Sequence, residues 1–273
     1  MYWDAEADAY QAEHGAFLAE GEARDREEAS GNDPGREGAR SRDAGAGPDH
    51  GAGFVWGPEG LTEEVAGLLG PVEGLVGQRV LELGCGAAQC SRWLAARGAQ
   101  AIGVDISVAQ LRHAGGTVPV VAGTATALPF HDGQFETAFA SYGAVQFVAD
   151  LDVLLAEVAR VLRPGGRWVF SVTHPIRWAF PDEPGPGGLT ATRSYFDRSP
   201  YVERETAGGP VRYAEFHRTL GDYVAALAAA RFTIERLVEP QWPEWNDSTW
   251  GGWSPLRGKH LPGTLIIRCR AGG

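Results

Sequence analysis

The sequence predicts an α/β protein built on a doubly wound, mostly parallel sheet, and three observations carry that expectation. Val80, Leu81 and Leu83 make a short apolar run closed by Gly84, the pattern of a strand buried on both faces. Strand-length and helix-length segments then alternate from 79 to 172. The turn after the first strand carries Gly84 and Gly86, and a carboxylate, Asp105, ends the next strand about 20 residues on, where a ribose acceptor stands in such folds.

From the start of the chain, Trp3, Tyr10, His14 and Phe17 recur at helical spacing and predict an amphipathic helix that packs its aromatics on the body. The segment 21–53 holds Gly, Ala, Asp, Glu, Arg, Ser and two prolines and no aliphatic larger than alanine, so it reads as a disordered insertion. Order restarts at Phe54, with a helix expected over 59–69, the first strand at 79–83, and a helix from Gln89 through Trp93 and Leu94 that Gly98 ends. A strand over 100–105, a helix over 108–114, strands over 118–121 and 135–140, a helix over 151–162 and a strand over 167–172 follow. Between 173 and 211 both periods vanish and Gly and Pro punctuate, yet Trp178, Phe180, Tyr195, Phe196 and Tyr201 are too many aromatics for a solvated loop. That stretch is expected to be a cap and a substrate wall. Helix is expected to return over 213–231, with strands over 232–238 and 261–269. The domain reading is a lid helix over 1–20, the insertion over 21–53, a cofactor-binding core over 54–175, the cap over 176–212, and 213–273 completing the sheet.

Charge and composition narrow the class. Of the formal net charge of -11, the first fifty residues contribute most, with thirteen acids against five arginines, so the body is near neutral. No basic stripe is apparent, and nucleic acid is not an expected partner. No apolar run approaches the roughly 18 residues of a membrane helix, and acids stand where a signal peptide carries bases. Three cysteines, Cys85, Cys90 and Cys269, at no metal-ligand spacing argue for a reducing, cytoplasmic setting with no disulfide and no metal site. The sequence does not speak to oligomeric state.

Two ligand classes use this glycine turn. A dinucleotide fingerprint needs a third glycine where Gln89 stands, and Glu82 would repel a diphosphate. S-adenosylmethionine has a ribose for Asp105, an ammonium for the acidic strand end, and no phosphate. With Glu82, Gly84, Cys85, Gly86 and Asp105 in place, the chain resembles a class I S-adenosylmethionine-dependent methyltransferase of the small-molecule type. The resemblance extends to Ile106, to Thr124-Ala125-Thr126-Ala127-Leu128-Pro129-Phe130 and to Leu162-Arg163-Pro164-Gly165-Gly166. It implies a Rossmann-like sheet whose last strand is antiparallel, with S-adenosylmethionine as cofactor and a small-molecule acceptor. It implies that Ile106 packs on adenine, that Thr124 takes the place of the family's usual aspartate, and that Tyr10 closes over the methionine end.

On the rim of such a sheet the residues expected to bind cofactor are Tyr10, Glu82, Gly84, Cys85, Gly86, Gln89, Asp105, Ile106, Thr124, Ala125, Ser141 and Tyr142. His174 directly follows the fifth strand and His217 lies beyond the cap; each reads either as a hydrogen-bonded packing residue or as a general base. Trp178 and Tyr195 in the cap are the expected acceptor wall; Trp242 and Trp245, in a run that also holds Trp250 and Trp253, read either as a further aromatic wall or as a loop wedged against the body. The function expected is methyl transfer to an oxygen, nitrogen or carbon of a small aromatic metabolite. The alternatives are a non-catalytic adenosyl-binding partner protein and a dinucleotide-dependent oxidoreductase.

Overall fold

A computed structural model describes residues 2–12, 53–204, 206, 208–209 and 211–273. Seven strands form one sheet: β1 (Arg79–Leu83), β2 (Gln100–Asp105), β3 (Val120–Ala122), β4 (Phe135–Ser141), β5 (Leu162–Thr173), β8 (Phe232–Val238) and β9 (Thr264–Ala271). Their order is β3-β2-β1-β4-β5-β9-β8. Pairs from β3 to β5 are parallel, and β9 runs antiparallel to both β5 and β8. The last strand is thus antiparallel, as expected, and is inserted one place in from the edge.

The pleat sorts the core. Successive residues of a strand point to opposite faces, so Leu81, Ala138, Trp168 and Ile267 join one apolar cluster while Val80, Phe139, Val169 and Ile266 join the other. The first face is covered by helix Leu151–Val161, whose Leu151, Leu154, Leu155, Val158 and Val161 form one buried stripe, and by helix Leu220–Ala229 through Tyr223 and Leu227. The second is covered by Trp93 and Leu94 of helix Gln89–Ala96 together with Phe54, Trp56 and Leu68. Each such side chain, fully buried, contributes about 1.5–3 kcal/mol. Asp150 caps the N-terminus of helix Leu151–Val161 by accepting from Val153 N–H, and Thr219 with Asp222 makes a reciprocal capping box on helix Leu220–Ala229.

Three expectations are corrected. The 59–69 helix shrinks to the single turn Glu63–Ala66, because Gly60 and Gly67 adopt positive φ and Glu63 turns inward to accept from Trp56 Nε1 and the amides of Leu68 and Leu69. The 213–231 helix begins only at Leu220. Its first residues instead form β7 (Val211–Glu215), whose alternating apolar positions pair antiparallel with β6 (Tyr201–Arg204). The cap therefore contains short 3-10 turns and a hairpin that carries it past 212. Of the N-terminal helix, residues 2–5 and 7–12 are helical; His14, Phe17 and all of the 21–53 segment but Gly53 lie outside the described residues.

Candidate functional site

The order reverses between β1 and β4, the place where ligands bind in open parallel sheets. A single cavity of about 670 Å³ opens there, within the range that holds a small-molecule ligand. All twelve residues expected at the cofactor site line it.

The glycine turn is a backbone cradle. Gly84 has φ 67° and Gly86 φ 51°, and a Cβ on Gly84 would lie 2.5 Å from the carbonyl oxygen of Gly143. Only glycine lets β1 and the turn after β4 approach so closely. Asp105 holds the turn from the next strand: its Oδ2 accepts from Gly86 N–H at 2.8 Å and its Oδ1 from Ser107 N–H at 2.8 Å. The carboxylate keeps acceptor capacity beyond these amides. Burial raises the Asp105 pKa, opposed by the Ser107 and Gly86 amides.

Glu82 lies on the face of β1 that meets helix Gln89–Ala96. Its Oε2 accepts from Ser91 N–H at 2.9 Å and from Ser91 Oγ–H at 2.5 Å, and burial raises its pKa to about 7. Cys85 is also buried, and its thiol is pushed far up by burial and by Glu82 and Asp105, so it is no nucleophile. Thr124 Oγ1 lies 2.9 Å from Thr126 Oγ1, Ser141 Oγ–H is donated to Val55 O, and Tyr142 sits at φ 59° with its hydroxyl accepting from Thr173.

A strap formed by residues 2–12 lies over this rim. Asp4 Oδ1 accepts from Ser107 Oγ–H and Ala109 N–H, and Gln11 bridges Gln110 at 2.9 Å and Gln89 at 3.0 Å. Trp3 packs edge-on against Phe147 and Tyr213, and Tyr10 lines the cavity beside it.

The far end of the cavity is formed by the hairpin, the turn after β5 and the tryptophan run. Trp3, Phe147, Tyr142, Tyr213, Trp250 and Trp253 give it aromatic walls. Its polar groups include Arg177, Asp182 and Glu215: Arg177 pairs with Asp182 at 3.0 Å and with Glu215 at 3.4 Å, and Tyr213 OH donates to Glu215 Oε2 at 3.1 Å. None of these three was expected from the sequence. Glu215 was hidden because its strand was read as helix; Arg177 and Asp182 belong to a cap without periodicity.

The six residues expected to act on the acceptor lie elsewhere. His174 Nδ1 accepts from Ile176 N–H and so carries its proton on Nε2, which faces Glu239 Oε1 at 2.8 Å, leaving no lone pair for a base. His217 is 4% exposed, its Nε2 donating to Tyr195 O at 2.7 Å, and it packs against the rings of Trp178 and Tyr195. Burial lowers the pKa of both histidines. Tyr195 OH accepts from Leu220 N–H, so Trp178, Tyr195 and His217 form the core of the cap. Trp242 donates to Asn246 O, and Trp245 lies on Gly60. None of the six lines the cavity: five are engaged within the fold and Trp245 is 47% exposed, whereas Trp250 and Trp253 do line it.

Among the described residues no group of His, Cys, Asp and Glu could hold a metal ion, and no helix is long and apolar enough to cross a membrane. Comparison with known proteins agrees with the geometry. Residues 81–170 match the methyltransferase domain family. The demethylmenaquinone methyltransferase of Mycolicibacterium gilvum is 46% identical over 191 residues, covering 69% of this chain and 73% of that protein. That of Mycobacterium tuberculosis strain H37Rv is 32% identical over 197 residues, covering 70% and 72%. The crystal structure of an S-adenosylmethionine-dependent methyltransferase from Mesorhizobium loti aligns with a TM-score of 0.62 at 28% identity, over 78% of this chain and 100% of that one.

Proposed function

The chain belongs to the class I S-adenosylmethionine-dependent methyltransferases, and on that footing we propose that it methylates a small aromatic metabolite at an oxygen, nitrogen or carbon. One observation carries the reading: a single cavity runs from the glycine turn to an aromatic end bounded by the hairpin and Trp250. Cofactor and acceptor then share one enclosure.

The residues present fit the cofactor. The Gly84 cradle, closed to any Cβ, leaves backbone exposed to a ligand, and Asp105 keeps acceptor capacity for a ribose hydroxyl pair. Glu82, ionised above about pH 7, suits the ammonium, with Ile106 and Ala125 against adenine and Thr124 toward its amino group. Gln89 and Tyr10 would complete the site from the helix and the strap. When bound, the cofactor supplies an electrophilic methyl on a sulfonium. The chain's own part is positioning: the cradle fixes one reactant, the aromatic walls the other, and the strap excludes water, effects that supply much of the rate of an in-line displacement. No dedicated base is needed for that.

The curated relatives are named for demethylmenaquinone, so its reduced, dihydroxy form, the nucleophilic one, is the first acceptor to test. Calorimetric titration with S-adenosylmethionine, S-adenosylhomocysteine and NAD, followed by turnover with chemically reduced demethylmenaquinone and smaller hydroxylated aromatics, decides the matter. Binding of the adenosyl compounds with methyl transfer to any aromatic supports the reading. Binding with no turnover on any of them would favour a non-catalytic partner.

A further inference from the structure

Among the described residues, the acceptor end holds two buried oxygens that the fold itself leaves unanswered, Gln146 Oε1 and Glu215 Oε1, and of the two the carboxylate oxygen is the costlier to leave unpaired. Glu215 is 3% exposed and lines the cavity. Its Oε2 receives the Tyr213 hydroxyl at 3.1 Å and Arg177 at 3.4 Å, while no donor among the described residues reaches its buried Oε1. Buried carboxylate oxygens are nearly always hydrogen-bonded, because leaving one unpaired forfeits its hydration with no return. The arrangement is held from two directions, with Arg177 anchored in turn on Asp182 across the cavity end. Oε2 is therefore fixed, and Oε1 is held in the closed wall of the cavity without a donor.

We propose that Glu215 is the specificity-determining residue of the acceptor site, and that Oε1 takes a hydrogen bond from a hydroxyl or N–H group on a flat aromatic acceptor. This rests on the methyltransferase reading and narrows it to acceptors that carry a donor. Acceptors offering only ether or carbonyl oxygens at that point would set lone pair against lone pair. The aromatic walls of Trp3, Phe147 and Trp250 bind any flat ring alike, so they cannot make this distinction. A buried polar group can, since an analogue that lacks the matching donor leaves it unpaired. The strap covers the hairpin through Trp3 on Tyr213, so the acceptor reaches Oε1 when the strap lifts.

Two probes that differ in one donor test this: 2-naphthol and 2-methoxynaphthalene, titrated calorimetrically into the full chain with saturating S-adenosylhomocysteine. The wild type should bind the naphthol at least about tenfold more tightly. In Glu215→Gln the amide oxygen stays toward Arg177, which can only donate, with the Tyr213 hydroxyl donating to it as before, and the amide NH2 takes the place of Oε1. The preference should then vanish or invert while affinity for S-adenosylhomocysteine stays at the wild-type value. Equal binding of the two probes by the wild type would overturn the proposal, as would a preference that survives in Glu215→Gln. So would failure of both probes to bind a wild type that binds S-adenosylhomocysteine. Loss of S-adenosylhomocysteine binding in Glu215→Gln alone would reassign the carboxylate to the cofactor. A wild type that does not bind S-adenosylhomocysteine would break the underlying functional reading instead, and is told apart by that titration.

Discussion

The two ends of the cavity are built in different ways. At the cofactor end every residue singled out from sequence lines the cavity; at the acceptor end His174, His217, Trp178, Tyr195, Trp242 and Trp245 all fall outside it. The first end is made from strand termini and the turns that follow them, so position along the chain fixes position in space. The second is made where loops from distant parts of the chain lean together, so an aromatic residue signals burial without saying against what.

The difference can be broken at several points. Gly84→Val should have the largest effect, since the new side chain meets the Gly143 carbonyl and φ 67° is strained for any L residue. A loss of more than about 3 kcal/mol in stability, with cofactor binding abolished, is expected in denaturant titration and calorimetry. Normal binding in this variant would mean that the turn does not shape the site. Asp105→Ala should weaken S-adenosylmethionine by about 1.5–3 kcal/mol, the range for a hydrogen bond to a charged group. An unchanged Kd would place the ribose elsewhere.

Proton linkage comes next. Burial raises both Glu82 and Glu63 from 4.5 to about 7, so in this interval the folded chain holds protons that the unfolded chain has released. Their contribution is full below pH 4.5 and is lost as pH rises through 7. Stability of the cofactor-free protein should therefore fall from pH 5 to 8, and Glu82→Gln should flatten that fall by about 1–3 kcal/mol in urea titrations at the two pH values. An equally steep fall in the variant would exclude Glu82 as its source. The smallest effect on turnover belongs to the histidines. His174→Gln and His217→Phe should keep kcat within about threefold, where loss of a general base would cost roughly 10²–10⁴-fold. A drop of that size would return one of them to the chemistry.

Legibility follows the same division. The parallel sheet, its helices and the antiparallel last strand were readable because apolar runs, Gly84, Gly98 and the spacing to Asp105 are local signals with few physical solutions. The 211–215 strand was not, because Tyr213 to Arg231 begins with residues acceptable to helix or strand, and only pairing with Tyr201–Arg204 selects strand. With that strand went Glu215. His174 looked catalytic from its place after the fifth strand; its lone pair is taken two residues on, a local bond that rim position alone does not reveal. The tryptophan run was read as an acceptor wall or as a wedge against the body, with Trp242 and Trp245 chosen to face the acceptor; in the structure Trp250 and Trp253 bridge to each other and line the cavity while Trp242 and Trp245 lie outside it, a choice made by the loop's own hydrogen bonds.

The strap has a kinetic consequence. It touches helix Val108–Arg112 through Asp4, the glycine-turn helix through Gln11, and the hairpin through Trp3 and the Arg212–Glu6 ion pair. Traffic through either end of the cavity has to part some of these contacts, which are mostly polar and at the surface and so belong to the class that opens on microsecond to millisecond timescales. Whichever molecule binds first holds the strap down and bears the entropy of ordering it, so the second arrives at a lower cost. On the proposed reading the two ligands would then be coupled through these eleven residues, and their release would be paced by how often the strap lets go.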